Sequence, residues 1–346
     1  MFLASDNAGP AHPQVMQHVL AANDGYAMPY GADDIMDSVT HKLRDIFKAP
    51  EAAVYLVATG TAANALALGC YTQPWQTVFC SPVAHIHEDE CNAPEFYASG
   101  AKLTLVPGAD KMTPDALRRA IEQENTRGVH GPQRGPISIT QVTERGSLYT
   151  LQDLRALTAV AKDFGLPVHL DGARFANAMV ALDCSAAEMT WQAGVDVVSF
   201  GGTKNGCMGV EAVVFFDPEK AWEFELRRKR GAHLFSKHRY LSAQMQGYLE
   251  DDLWLACARQ ANTKAARLAD GLKARGADFL HAPQANMIFA SFPRAVHQRL
   301  HAAGAKYYIW EGALEGTDPE EMLAARLVCD WSISEQQLDL FLSHFQ

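Results

Sequence analysis

The chain has 346 residues, of which 48% are hydrophobic and 20% are charged. This length and composition are typical of a globular protein with a substantial core, and they exclude a disordered, collagenous or coiled-coil chain. The formal net charge is −10. It argues against a nucleic-acid partner, because an acidic surface repels phosphodiester backbones.

The cysteines and the apolar runs indicate in which cellular compartment the protein is expected. The seven cysteines are scattered without Cys-x-x-Cys spacing, so neither a zinc ribbon nor a disulfide framework is indicated. Residues 1–10 lack a cationic stretch followed by an apolar one. Apolar runs such as Ala212–Phe216 are far shorter than the roughly 18 residues that a membrane span requires. We therefore expect a cytoplasmic protein with reduced thiols and no membrane partner.

Short runs rich in β-branched residues alternate along the chain with longer helical patterns. The predicted strands are Ala53–Val57, Thr77–Cys80, Lys102–Val106, Ile137–Val142, Pro167–Asp171 and Asp196–Phe200. Predicted helices between them include Thr113–Glu124, which begins with a Thr-Pro pair, and Leu151–Phe164, which carries apolar residues at helical spacing. This alternation predicts a mainly parallel sheet covered by helices on both faces.

The later part of the chain departs from this alternation. Val210–Phe216 follows the preceding strand too closely for a crossover helix, so we expect it to return antiparallel. Long helices come next, including Leu241–Leu272 with an acidic break at Glu250–Asp252.

The C-terminal region mixes short strands, Met287–Phe292 and Ala325–Cys329, with a last helix, Ser334–Phe345. This pattern is typical of a small α+β domain. We therefore divide the chain into a large α/β domain, residues 1–250, and a small domain, residues 251–346.

A candidate anion site lies where the first predicted strand meets a helix, in the sequence Thr59-Gly60-Thr61-Ala62-Ala63-Asn64. A glycine and two hydroxyl groups at a helix N-terminus expose backbone N–H groups at the positive end of the helix dipole, which suits a phosphate. Helix N-caps use the same residue types for structural reasons, so this motif alone leaves both interpretations open.

A second motif, His169-Leu170-Asp171-Gly172-Ala173-Arg174, ends a predicted parallel strand. An aspartate at this end points into the crevice where open α/β sheets bind ligands. The planar guanidinium of Arg174 suits a carboxylate or phenolate oxygen. A role for Asp171 as the cap of the following helix is an equal alternative.

The third motif places Lys204 after a buried apolar strand, between Gly201-Gly202 and Gly206. We expect the glycines to let a large planar ligand approach the backbone. A desolvated position favours the free amine of a lysine, which is nucleophilic. A surface lysine at a strand end is the alternative.

Together the three motifs meet the needs of one cofactor, pyridoxal 5′-phosphate. Lys204 would bind it covalently, and the helix N-terminus at Gly60 would hold its phosphate. Asp171 would keep its pyridine nitrogen protonated, so that the ring accepts electrons.

Seven segments spread over nearly the whole chain carry a resemblance to a known family. They are Ser5-Asp6-Asn7, Tyr30-Gly31-Ala32-Asp33, Thr59-Gly60-Thr61-Ala62-Ala63-Asn64, Ala84-His85, His169-Leu170-Asp171-Gly172-Ala173-Arg174, Thr203-Lys204-Asn205-Gly206 and Ala325-Arg326-Leu327-Val328. On these segments the chain resembles the low-specificity L-threonine aldolases, in the fold type I group of pyridoxal-phosphate enzymes. The resemblance implies the aspartate aminotransferase-like fold, with a mainly parallel seven-stranded sheet and a smaller C-terminal α+β domain.

The resemblance also implies roles for the matching cofactor residues. Lys204 is the lysine that binds the cofactor, Asp171 is the partner of its pyridine nitrogen, and His85 is the imidazole stacked on its ring. Gly60 and Thr61 hold the phosphate.

The substrate carboxylate is assigned to Arg174 and Arg326 together with Ser5, and Arg174 also borders the cofactor. Two guanidinium groups on one carboxylate fix rotation about the N–Cα bond of the substrate. That rotation decides which bond at Cα breaks.

Two positions depart from the family's pattern. Glu144 stands where many members have a histidine, so we keep Glu144, beside His85, as a candidate for the catalytic base. In the stretch His233–Arg239, where many members have a phosphate-binding arginine, Lys237 is the nearest cation and is assigned to the phosphate.

His85 and His87 also invite a metal-site interpretation, because histidines at i and i+2 on a strand face the same way. No third ligand follows at a characteristic spacing, and a flexible acidic loop explains Glu88–Glu90 equally well. We therefore expect no metal.

The implied reaction is the reversible cleavage of L-threonine, L-allo-threonine and related L-3-hydroxy-α-amino acids such as phenylserine into glycine and an aldehyde. This is carbon–carbon lyase chemistry. Another fold type I enzyme, a β-eliminating lyase or an aminotransferase, is the alternative. The resemblance further implies a homodimer or homotetramer, because active sites in this fold group usually draw on two subunits.

Overall fold

The computed structural model describes residues 1–345, and Gln346, the last residue of the predicted small domain, lies outside the described residues. The helices are α1 Pro13–Ala21, α2 Asp34–Phe47, α3 Gly60–Tyr71, α4 His85–Glu88, α5 Ala93–Tyr97, α6 Pro114–Gln123, α7 Leu151–Asp163, α8 Phe175–Leu182, α9 Ala186–Met189, α10 Ala221–Arg230, α11 Arg239–Leu249, α12 Leu253–Lys273, α13 Arg294–Ala302 and α14 Glu335–Ser343. The strands are β1 Ala53–Val57, β2 Gln76–Cys80, β3 Lys102–Leu105, β4 Gln133–Thr140, β5 Val168–Gly172, β6 Val197–Gly201, β7 Glu211–Phe215, β8 Asp278–Phe279, β9 Met287–Pro293, β10 Tyr308–Glu311 and β11 Met322–Val328.

The larger sheet has seven strands in the order β1-β7-β6-β5-β4-β2-β3. β7 runs antiparallel to β1 and β6, whereas the remaining neighbours are parallel. The predicted mainly parallel sheet and its antiparallel return are therefore confirmed. Thr140, Asp171 and Ser199 lie in register on β4, β5 and β6. The carboxyl ends of these three strands thus form one edge, where open sheets bind ligands.

Alternation along β6 shows how the sheet is covered on both faces. Val197 packs in a cluster that includes Leu66 of α3, whereas Val198 and Phe200 belong to the main core. Successive side chains of a strand point to opposite faces, so helices lie on both sides of this strand. All five residues of β6 are buried.

The break in the long C-terminal helical region is where the sequence predicts it. α11 ends at Leu249, a 3₁₀ turn covers Glu250–Asp252, and α12 begins at Leu253. Asp251 and Asp252 take left-handed backbone angles, with φ of 51° and 55°, which an α-helix does not tolerate.

The smaller sheet has four antiparallel strands in the order β10-β11-β9-β8. Leu3 packs into its core, and Phe2 forms a β-bridge with Lys306. The first residues of the chain therefore cross to the small sheet, which brings Ser5 and Asp6 towards Arg326 on β11. Within residues 1–345, no helix combines the length and the apolar character needed to cross a membrane.

Candidate active site

Asp171 lies near the carboxyl end of β5 and is almost fully buried. Its Oδ1 accepts a hydrogen bond from the backbone N–H of Ala173 (3.0 Å), and its Oδ2 accepts one from Asn64 Nδ2 (2.9 Å). One carboxylate oxygen therefore fixes the turn before α8, while the other faces the first turns of α3. Both oxygens keep a lone pair for a further donor.

His169 lies two residues before Asp171 on the same face of β5. Its ring nitrogens contact Ser138 Oγ (3.0 Å) and Ser199 Oγ (3.1 Å) on the neighbouring strands. Burial lowers the pKa of His169 to about 4. The imidazole of His169 is therefore neutral at physiological pH. It does not act as a counter-ion of Asp171, whose carboxylate stays available to a positively charged ligand group.

The first turn of α3 forms the predicted anion site. Thr59 caps it, since its Oγ1 accepts a hydrogen bond from Ala62 N (3.2 Å). A Cβ atom added to Gly60 would meet no atom within 4 Å, so the N-terminus of α3 faces open space. This arrangement leaves room for a phosphate beside the N–H groups of Gly60 and Thr61.

Lys204 lies in a one-turn 3₁₀ helix, Thr203–Asn205, directly after β6. Gly201 and Gly202 are needed for contacts within the protein: a Cβ on Gly201 would collide with the carbonyl of Ala173, and one on Gly202 would lie 2.6 Å from that of Val210. These contacts explain Gly201 and Gly202 without a ligand, and the expectation that the glycines beside Lys204 admit a planar ligand stays a prediction. The two glycines let the end of β6 lie close to the backbone at Ala173 and Val210, which positions the turn that carries Lys204.

Glu211 on β7 holds the turn before Lys204 from the side of the sheet. Its Oε2 accepts a hydrogen bond from the backbone N–H of Gly202 at 2.7 Å. Burial raises the pKa of Glu211 to about 7, although the hydrogen bonds of the turn and the charge of Lys204 oppose the rise.

His85 begins the one-turn helix α4, and its Nδ1 lies 2.9 Å from Oε1 of Glu90. This hydrogen bond raises the pKa of His85 above its ordinary value, burial opposes the rise, and the negative charges of Asp171 and Glu144 add to it. His85 and His87 lie on a helical turn, so the expected strand geometry of the metal-site alternative was wrong. Within residues 1–345, no group of three His, Cys, Asp or Glu side chains is placed to hold a metal ion.

Arg174 forms a buried, bidentate ion pair with Asp6. Its Nε and Nη2 donate to the two carboxylate oxygens at 2.7 and 2.9 Å, and Asn286 Nδ2 donates to Asp6 Oδ2 at 3.1 Å. Burial alone would raise the pKa of Asp6, but the charges of Arg174 and Lys204 hold it below its ordinary value. Nη1 and the second N–H of Nη2 of Arg174 are then left to face a ligand.

Replacing Asp6 by asparagine is expected to lower the free energy of unfolding by about 3–5 kcal/mol, because it leaves the guanidinium of Arg174 buried without a counter-charge. The side chains of this pair are 4% and 1% exposed. Urea denaturation measures the change. Asp24→Asn, at an exposed position, is the matched control, for which a change below about 0.5 kcal/mol is expected. Equal, small changes in both variants would contradict the structural importance of the pair.

Arg326 on β11 and Ser5 approach the same region from the small sheet and the N-terminal segment. Arg326 Nη1 donates to the carbonyl oxygen of Ala4 at 3.4 Å, and Ser5 Oγ accepts the N–H of Asn7 at 3.1 Å. Burial and the neighbouring charge of Arg174 lower the pKa of Arg326. Two guanidinium groups that repel each other in this way form a site that favours an anion between them.

Glu144 lies in the turn after β4, within electrostatic range of His85, Arg174 and Lys204. Burial raises the pKa of Glu144, whereas the positive charges of Arg174, His85 and Lys204 oppose this rise. Lys237 is placed differently: it borders a cleft of about 650 Å³ with Met208, Phe235 and Gln244. No hydrogen bond or ion pair within residues 1–345 joins Lys237 to the other predicted site residues.

The side chains present fit pyridoxal phosphate. The crevice combines open space at the N-terminus of α3, a buried carboxylate at the end of β5, an imidazole at α4 and a lysine after β6. Gly60, Thr61, Asp171, His85 and Lys204 are the residues that would hold the group. A pyridine nitrogen at Asp171 would be the further donor for which its carboxylate has capacity.

Comparison with known proteins decides the family. A model of the beta-eliminating lyase family matches residues 3–294. The low specificity L-threonine aldolase of Pseudomonas aeruginosa is 38% identical over 332 residues, which cover 95% of this chain and 92% of that protein. The enzyme of the same description from Pseudomonas sp. is 37% identical over 339 residues, 97% of this chain and 94% of that protein. This chain belongs to the low specificity L-threonine aldolase family.

Solved structures agree with the fold that this family implies. The threonine aldolase of Leishmania major superposes with a TM-score of 0.90 at 24% identity, covering 99% of this chain and 98% of that one. The serine palmitoyltransferase of Sphingomonas wittichii gives 0.71 at 16% identity, covering 100% and 86%. The predicted family, the fold type I architecture, the pyridoxal-phosphate cofactor and the carbon–carbon lyase class are confirmed.

Three residues of the site, Asp6, Asn64 and Glu90, could not be assigned a function from the sequence. In the sequence, Asp6 and Asn64 stand within motifs that indicate no role for them, and Glu90 stands in an acidic run that is typical of a flexible loop. The loop interpretation was wrong, because the Glu90 side chain is fully buried. The only hint in the sequence is that Glu90 follows His85 by five residues. Glu88 and Asp89 also follow His85 closely but are exposed, so the sequence does not show which of the three acidic residues contacts the histidine.

Proposed function

We propose that this protein cleaves L-threonine, L-allo-threonine and related L-3-hydroxy-α-amino acids such as phenylserine to glycine and an aldehyde, and that it runs this reaction reversibly. The observation that carries the proposal is the convergence of Lys204, Asp171, His85 and the paired arginines Arg174 and Arg326 at one sheet edge. Family membership supplies the independent support.

The cofactor would be held by residues from four parts of the fold. Lys204 binds it covalently, the N–H groups of Gly60 and Thr61 bind its phosphate, and Asp171 keeps a proton on its pyridine nitrogen. When bound, pyridoxal phosphate supplies a ring that accepts the electron pair released at Cα of the substrate. Lys237 is proposed as a further phosphate ligand, for which its positive charge beside the cleft is the support.

Substrate orientation is assigned to the two arginines and Ser5. Arg326, with Nη1 of Arg174, binds the carboxylate, while Asp6 keeps the plane of the Arg174 guanidinium fixed. A carboxylate fixed in this way would orient the substrate so that its Cα–Cβ bond is the bond that breaks. The hydroxyl group of the substrate then faces His85.

The base in this proposal is His85. Its Nε2 takes the proton of the β-hydroxyl group as the Cα–Cβ bond breaks, and the aldehyde leaves. Glu144, or a water held between Glu144 and His85, is the alternative base, because Glu144 lies close enough to act on the charge of His85.

His85→Asn is expected to lower kcat for L-threonine by about 100-fold or more, since general-base catalysis contributes about 10²–10⁴-fold. Asparagine keeps a planar polar side chain but offers no basic nitrogen at this position. Steady-state kinetics of this variant and of Glu144→Gln measure the effect. An unchanged kcat in His85→Asn, with a loss in Glu144→Gln, would transfer the role of base to Glu144.

One assay separates the proposed reaction from its alternatives. Glycine is expected to accumulate from L-threonine or L-phenylserine without a keto-acid acceptor. A β-eliminating lyase would instead release ammonia, and an aminotransferase would depend on an added keto acid. Either of those outcomes without glycine would overturn the proposal.

We also propose that the protein works as a homodimer or homotetramer in the cytoplasm and that its domains divide at residues 250/251. Exposed apolar side chains support self-association: Leu20, Tyr26 and Met28 are 70%, 108% and 66% exposed. The break between α11 and α12 at Glu250–Asp252 supports the division, although Trp254 at the start of α12 still packs in the main core and Leu268 packs in the core of the small sheet. Analytical ultracentrifugation tests the assembly, since a sedimenting mass of one chain would exclude it.

A further inference from the structure

Glu90 is a buried carboxylate to which the proposed mechanism gives no role. Its side chain is 0% exposed, whereas Glu88 and Asp89, just before it, are exposed. The chain therefore buries one member of a run of three acidic residues, at the point where α4 leads back towards the sheet.

The contacts of Glu90 are unequal between its two oxygens. Oε1 accepts a hydrogen bond from Asn64 Nδ2 at 2.9 Å and lies 2.9 Å from His85 Nδ1. Oε2 has no hydrogen-bond partner among residues 1–345. A buried carboxylate with an unsatisfied oxygen costs free energy that an apolar side chain of similar size would avoid. Stability alone therefore does not explain Glu90.

The bond to His85 has a chemical consequence. A carboxylate only accepts hydrogen bonds, so Nδ1 of His85 carries a proton when it bonds to Glu90. The other ring nitrogen, Nε2, is then the one that can take a proton from a ligand. The same arrangement, a base oriented by a third group, recurs in enzymes that activate a hydroxyl group.

Asn64 ties this pair to the sheet. Its Nδ2 donates to Glu90 Oε1 and to Asp171 Oδ2, both at 2.9 Å. Two acceptors on one amide nitrogen fix the orientation of the side chain. The carboxylate beside His85 is thereby held at a set position relative to Asp171 on β5.

We propose that Glu90 is the positioning residue of His85: its carboxylate holds the Nδ1 proton and presents Nε2 to the hydroxyl group of the substrate, and Asn64 links it to Asp171. The inference rests on the proposed function, in which His85 is the base. The other charged groups that face His85 are Asp171 from β5 and Glu144 from the turn after β4, and Glu90 is the carboxylate hydrogen-bonded to it.

Glu90→Gln tests the proposal against a matched control, Glu88→Gln, which makes the same change at an exposed position of the same segment. Loss of the negative charge lowers the pKa of His85. Because the base must be neutral to act, the acidic limb of the kcat/KM profile for L-threonine is expected to move to lower pH. The kcat is expected to fall about 10-fold to 100-fold, because His85 becomes a weaker and less well oriented base. Glu88→Gln keeps the wild-type profile.

A second readout needs no turnover. Diethyl pyrocarbonate modifies neutral imidazole, so the rate at which it labels His85 in the full-length chain after removal of the cofactor, followed by mass spectrometry, reports the protonation of His85 across pH. Fragment ions separate His85 from His87. The midpoint is expected at lower pH in Glu90→Gln than in wild type, and Glu90→Asp, which keeps the charge, is expected to stay near wild type.

The two readouts separate the possible failures. Wild-type midpoints in Glu90→Gln, in both labelling and kinetics, would overturn the role of Glu90. A uniform loss of rate without a shift of the profile would also overturn it, because that is the result of a merely structural residue. If the wild-type chain does not cleave L-threonine, the proposed function fails, whereas the labelling midpoint still decides whether Glu90 controls His85.

Discussion

Replacing Lys204 by alanine is expected to remove the visible absorbance of the purified protein and to lower kcat for L-threonine on the order of 10⁴-fold or more. The amine of Lys204 is the group proposed to bind the cofactor covalently, and alanine offers no nucleophile there. The turn that carries Lys204 is fixed by the contacts of Gly201 and Gly202 with neighbouring backbone and by the hydrogen bond to Glu211. The variant is therefore expected to fold.

Lys162→Ala is the control for this experiment, since Lys162 lies exposed near the end of α7. It is expected to keep the colour and the wild-type turnover. A Lys204→Ala protein that retained both would remove Lys204 from the mechanism.

Replacing Asp171 by asparagine is expected to keep the cofactor but to lower kcat on the order of 10³-fold, because a neutral amide does not hold a proton on the pyridine nitrogen. Retention of the cofactor follows from the separate contacts of Lys204, Gly60 and Thr61. Absorbance and steady-state kinetics together distinguish this result from that of Lys204→Ala, which loses both.

The same substitution has a measurable structural cost. Asp171 accepts hydrogen bonds from Ala173 N and Asn64 Nδ2, and an asparagine amide has one oxygen to satisfy these two donors. A loss of about 1–3 kcal/mol in the free energy of unfolding is therefore expected. A folded Asp171→Asn variant with wild-type kcat would contradict the role given to the carboxylate.

Much of the fold follows from local sequence pattern. The antiparallel direction of β7 was predictable because too few residues separate it from β6 for a crossover helix. The break between α11 and α12 was predictable from three consecutive acidic residues. The helical form of His85–Glu88 was not, because a single turn has too few residues to show a period.

Some residues of the candidate site could also be predicted from local sequence pattern, and others could not. Lys204, Asp171 and Arg174 were found because each lies at or just after the carboxyl end of a strand, where a side chain reaches the ligand crevice. Glu90 lies only five residues from His85, but the sequence does not distinguish it from Glu88 and Asp89. Asp6 and Asn64 act through partners that are distant in the chain: Asp6 pairs with a residue 168 positions away, and Asn64 with one 107 positions away. Only folding brings such partners together, so no spacing in the sequence could reveal them.

The structure also changes the interpretation of the paired arginines. Arg174 donates two hydrogen bonds to Asp6. The carboxylate of Asp6 therefore neutralises most of the positive charge of Arg174. Arg326 has no carboxylate bonded to it within residues 1–345, and it is therefore the main cation available to a substrate carboxylate. The sequence alone gives the two arginines equal weight.

Reduction with sodium borohydride shows which lysine binds the cofactor, because it makes the bond between lysine and cofactor permanent. The purified full-length protein is reduced, digested and analysed by mass spectrometry. We expect a phosphopyridoxyl group on the peptide that contains Lys204. Label on a different lysine, such as Lys237, or no label on any peptide, would contradict this expectation.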